Sequence, residues 1–266
     1  MTRTNWTRRL AAVASVLVLP MTGSIVAAEA PYLGTWKLNV TNSDLVGHES
    51  TTIIVPVSSG GYQFTDETGQ SYTFKMDGRE YTDPYSTKVS WKQLDDRSWE
   101  ATNKVNGKFA GTDTAGISPD GKTLTIVSRA VQTNGKTIDQ TQTLQRVGSG
   151  LGLTGTWKAI RLTIEPYMFT FKSVAGDAFD LTMGDLYVCT GCTFGGMPCA
   201  ITGPLAAAGT TATFKMTTPR SFEMTWHWQG KAIFDAAFTI SGDGKTLTEV
   251  GGAPGGPSRT WVFQRQ

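Results

Sequence analysis

Ile117 to Thr125 reads ISPDGKTLT and Ile240 to Thr248 reads ISGDGKTLT, so eight of nine letters recur at an offset of 123. Pro119 presets φ at the first corner of a type I turn, Asp120 suits the second, and Gly121 accepts the left-handed conformation that follows. This is hairpin chemistry, and the recurrence extends in both directions. RSWEATNKVNGKFAGTDTAGIS at Arg97 to Ser118 aligns without a gap on RSFEMTWHWQGKAIFDAAFTIS at Arg220 to Ser241. GTWK at Gly34 to Lys37 returns at Gly155 to Lys158, and LQR at Leu144 to Arg146 returns as FQR at Phe263 to Arg265. The chain thus reads as two copies, residues 31–147 and 153–266, joined by a GSGLG linker at 148–152. At roughly 115 residues, each is long enough to bury a core of its own.

Within each copy the punctuation is that of an all-β domain. Asp77-Gly78, Asn106-Gly107, Asn134-Gly135 and Gln229-Gly230 separate short runs of alternating residues, and no long segment has helical period. Alternation assigns faces: Trp99, Ala101, Asn103 and Val105 point inward, as do Phe222, Met224, Trp226 and Trp228 at the matching positions. Val89 and Trp91 do the same in the preceding strand of the first copy, Ala212 and Phe214 in that of the second. A three-residue bulged loop at Asn106-Gly107 carries this parity forward and turns Phe109 inward, whereas the same count at Pro119-Asp120-Gly121 sends Leu124 and Ile126 outward.

The amino-terminal segment reads as an export signal. Arg3, Arg8 and Arg9 precede the apolar run LAAVASVLVL at Leu10 to Leu19, and Val26 and Ala28 offer small residues for cleavage after residue 28. LPMTG at Leu19 to Gly23 has sortase-motif letters but lies inside the segment to be discarded, so it anchors nothing. Removal of residues 1–28 takes three of the 24 basic side chains and no acid, leaving 21 against 22 acidic ones. A mature chain without a positive excess is unsuited to nucleic acid or an anionic membrane surface. Nothing beyond the leader approaches the roughly 18 apolar residues of a spanning helix, and we expect a periplasmic or secreted protein.

Short strands, hairpin turns and one apolar face per strand describe a sandwich or a closed antiparallel barrel. One constellation favours the barrel. Each copy opens with Gly-Thr-Trp (Trp36, Trp157) and ends with an arginine (Arg146, Arg265). The pattern resembles the calycin superfamily of lipocalins and fatty-acid-binding proteins, and in particular the small lipocalin-like domains of exported bacterial proteins. The resemblance implies two tandem antiparallel lipocalin-like barrels. In each copy the first-strand tryptophan packs under the last-strand arginine, where closure sets a guanidinium over an indole face. It departs from true lipocalins in the short copies and the lack of a carboxy-terminal helix.

Candidate chemistry is sparse. Cys189, Cys192 and Cys199 fall together in the second copy only, and in an oxidising compartment they read as one disulfide bracing Phe194 to Met197 with one cysteine left over, the pairing open. A fourth ligand for zinc is missing, so no metal and no cofactor are expected. His48 and His227, the only histidines, read as surface residues and supply no triad. The two interiors differ. The first holds the polar pair Asn103 and Asp113, while the second is crowded with Phe214, Met224, Trp226, Trp228 and Phe234. These seven are the candidate binding residues for a small apolar or amphipathic ligand in a noncatalytic protein. The alternatives are a calycin-fold isomerase, cyclase or hydrolase, or a partner-binding module with filled barrels. The oligomeric state is not legible.

Overall fold

The computed structural model describes residues 30–46 and 50–266; the leader, with its cleavage site and LPMTG, and His48 lie outside these. The described chain is all-β, with one short 3-10 turn at Val40–Asn42. In chain order the strands are β1 (Gly34–Leu38), β2 (Thr51–Pro56), β3 (Tyr62–Thr65), β4 (Ser71–Phe74), β5 (Asp77–Thr82), β6 (Lys88–Asp95) and β7 (Ser98–Val105). Next come β8 (Lys108–Ile117), β9 (Thr123–Val131), β10 (Thr137–Val147), β11 (Gly155–Ile164), β12 (Met168–Ser173), β13 (Phe179–Met183) and β14 (Tyr187–Cys192). The last six are β15 (Cys199–Thr202), β16 (Thr211–Thr218), β17 (Ser221–Trp228), β18 (Lys231–Ile240), β19 (Thr246–Gly252) and β20 (Arg259–Arg265).

These strands form two ten-stranded antiparallel sheets. One is a closed barrel of β12 to β20 with β1 inserted between β12 and β20. The other runs from β5 through β10 to β11 and on through β2 and β3 to β4, so that its edges are the consecutive strands β4 and β5 and it is nearly closed. The halves of the sequence therefore do not coincide with the barrels. The first strand of each copy has been exchanged: Trp36 pairs with Arg265 and Phe169, while Trp157 pairs with Arg146 and Thr52.

The exchange corrects the expected closure within each copy. Arg146 lies over Trp157, 4.0 Å from the ring centroid, and Arg265 lies over Trp36 at 4.1 Å. Both tryptophans are fully buried. Each arginine is also held by the recurrent turn: Arg146 Nε donates to the Gly121 carbonyl at 2.7 Å, and Arg265 Nε donates to Gly244 at 2.7 Å. The remaining guanidinium nitrogens reach Gly152 and Thr154 in one sheet, Leu33 and Pro31 in the other. The indoles donate to Leu153 and Tyr32. The nonapeptide of the opening is thus the carbonyl shelf on which barrel closure rests.

Turn geometry overrides two of the expected parities. Asn106-Gly107 is a two-residue turn with both φ positive (51° and 74°), pairing Val105 with Lys108 and leaving Phe109 exposed. A register shift between Asn103 and Lys104 restores the inward phase, so that Asp113 sits opposite buried Ala101. After Ile117 the loop has four residues: Ser118 N–H donates to Thr123 O and Ile117 faces Leu124. Leu124 is consequently fully buried and Ile126 packs against the core, contrary to the outward expectation.

Candidate functional site

The closed barrel has a filled end and a hollow end. At the filled end Tyr32, Phe179, Phe194 and Phe214 form an aromatic plug, with ring centroids 5.0 Å apart for Tyr32–Phe194 and 5.1 Å for both Phe179–Phe194 and Phe179–Phe214. Phe194 is carried by the loop that the Cys192–Cys199 disulfide closes. Cys189 is the free cysteine; burial pushes its thiol up to about 12, which leaves it inert at neutral pH. Phe214, one of the candidate ligand residues, belongs to this plug and is buried.

The hollow end holds a cavity of about 270 Å3. Met183 on β13, Tyr187 on β14, Met224 and Trp226 on β17, Phe234 on β18, Glu249 on β19 and Trp261 on β20 all contribute to its wall, with Tyr167 from the β11–β12 connection. Three expected residues, Met224, Trp226 and Phe234, are brought together here. The rings run in a chain: Tyr187 meets Trp226 edge-on at 4.8 Å, Trp226 is 5.6 Å from Phe234, and Phe234 is 6.5 Å from Trp261. The Trp226 indole N–H points at Met224 Sδ, 3.2 Å away, so it takes up no oxygen acceptor.

Among the described residues Glu249 is the single charged side chain in this wall, and it is 4% exposed. It stands directly across the sheet from Trp261 on one side and Phe238 on the other. No group among the described residues hydrogen-bonds its carboxyl, and burial alone pushes it up to about 8. Burial therefore keeps it protonated well above the ordinary carboxylate range. Burial also raises the phenols, Tyr187 to about 12 and Tyr167 further still, the latter with Glu249 as a second cause.

Sequence reasoning missed Glu249. At the offset of 123 it replaces Ile126, as KTLTIV becomes KTLTEV, and this substitution of an acid for an aliphatic residue was the available signal. The miscounted turn concealed it, because a three-residue loop would have turned position 249 to solvent. The four-residue loop pairs Ile240 with Leu247 and brings Glu249 in on the same face.

The other candidates lie elsewhere. Asn103 Nδ2 donates to Asp113 Oδ2 at 2.6 Å, and the half-buried pair borders a cleft of about 400 Å3 shared with Asp83, Arg129 and Tyr187. Tyr187 thus lines both this cleft and the aromatic cavity. Trp228 is in neither; its indole donates to Ala208 O at 3.3 Å and its ring faces a separate groove with Tyr85 and Lys231. His227 is half-buried, with its Nδ1 enclosed and unpartnered, so it is not the solvated residue expected. Among the described residues no three metal-ligating side chains converge.

Comparison with protein-family models, curated proteins and solved structures finds no match for this chain.

Proposed function

We propose that this is a noncatalytic, exported binding protein that takes a small apolar or amphipathic molecule into the hollow end of the closed barrel. The observation that carries the reading is the cavity itself: a largely apolar, aromatic wall into which two tyrosines and one carboxyl bring polar groups, the composition of a small-molecule site. Burying ligand surface supplies affinity at about 25 cal/mol per Å2, and Glu249 fixes orientation. The β2–β11 sheet serves as scaffold, its interior filled by Phe74, Trp91, Trp99 and Trp157. Tandem calycin-like ancestry and a periplasmic or secreted location belong to the same proposal. The repeated GTW-to-Arg pattern supports the first; the leader and the disulfide support the second.

The test is a fluorescence titration with an apolar probe such as an anilinonaphthalene, since Trp226 and Trp261 line the cavity. Saturable quenching of tryptophan emission is expected, together with its loss in Met183→Phe, which fills the space. Equal binding by Met183→Phe would place the ligand elsewhere and reject the reading.

A further inference from the structure

The chemistry of the cavity wall narrows the class of ligand. A carboxyl buried without a partner is costly when charged, and a barrel that needed only packing could use an aliphatic side chain there, as Ile126 shows at the equivalent place. Among the described residues no lysine, arginine or histidine lines the cavity, so an anionic ligand would find no counter-charge there. A cation finds both of the partners it requires. Aromatic π-systems attract positive charge, and the wall carries the rings of Trp226, Trp261 and Tyr187 together with Glu249 as the counter-charge.

We propose that the cavity is a site for small organic cations, aryl- or alkylammonium compounds whose charged head is met by the Glu249 carboxylate and whose apolar body is held by the surrounding rings. This rests on the small-molecule reading above and specifies its ligand class. Binding couples to protonation. Burial favours the neutral form of Glu249, and an entering ammonium favours the carboxylate, so complex formation expels a proton to solvent.

Calorimetry and tryptophan fluorescence with three isosteres test the assignment: 2-phenylethylammonium, 2-phenylethanol and phenylacetate. The cation should bind at least tenfold tighter than the alcohol at pH 7, and phenylacetate weakest. Its binding enthalpy should vary with buffer ionisation enthalpy with a slope near one proton released. In Glu249→Gln the tenfold preference should collapse and proton release vanish, while the alcohol still binds. The isostere series and the proton count in the unmutated protein need no variant. Equal binding of alcohol and cation without proton release would overturn the cation assignment and leave the cavity reading standing. Failure of all three to bind would overturn both.

Discussion

Glu249 is a buried carboxyl whose protonation is coupled to folding. Its ordinary value of 4.5 rises to about 8 in the folded state, so the native protein binds a proton there that the unfolded chain releases. Stability from this group is fully present below the unfolded value and is lost as pH rises through about 8. Tyr167 and Tyr187, the titratable neighbours in the wall, ionise well above that window. Denaturant unfolding should therefore show Glu249→Gln gaining on the parent by roughly 3 to 5 kcal/mol between pH 4 and pH 9, from about one unit of pKa per 1.4 kcal/mol. A constant difference across that range would mean that Glu249 titrates as it does in water.

At the scale of strands, the exchange of β1 and β11 has a plain cause. Both begin Gly-Thr-Trp-Lys and both fit under an arginine, so side-chain fit does not choose between them. Chain connectivity does. Only 148–154 separate β10 from β11, and such a short connection returns β11 alongside β10, from Val147 facing Thr156 to Gln140 facing Ile164. That occupies the place β1 would have taken, and β1 closes the other barrel. β1 also covers less length, since its five residues could not pair with β10 as far as Gln140. A fragment spanning 50–164 should consequently unfold cooperatively with protected amides along β10. A fragment spanning 31–147 should be markedly less stable, with exchange at 140–143 near the unfolded rate. Equal protection in the two fragments would refute connectivity as the cause.

The whole molecule is held by strands that cross between barrels and by polar contacts around the crossing. Arg259 of the closed barrel meets Glu67 of the other sheet at 2.5 Å, Asn106 bonds the backbone of Ala206 and Ala208, and Gln132 donates to Gly184 O. The Cys192–Cys199 disulfide acts on one side only, because it closes a short loop within the closed barrel and holds Phe194 in the plug. Reduction should lower the stability of that barrel by roughly 2 to 3 kcal/mol, the loop-closure value for so short a span. Hydrogen exchange before and after reduction should show the loss in β13 to β16 and none in β6 to β9. A uniform loss across both sheets would mean that the barrels unfold as one unit.

Local rules made much of this legible. The period of two in Ser98 to Val105 and Ser221 to Trp228, read with the turn residues between strands, yields the all-β class and the inward Met224 and Trp226. It does so because pleat and turn preferences act over a few residues. Three things lie beyond such rules. Which GTWK strand closes which barrel is a contest between connections, invisible when the two strands are spelled alike. Which of three cysteines remains free depends on where β14 and β15 place their side chains. Glu249 was hidden by a single residue in a turn count, since one step of register reverses every face downstream. Once folding fixes that register, a carboxyl that composition would leave in solvent becomes a buried group in the wall of an aromatic cavity.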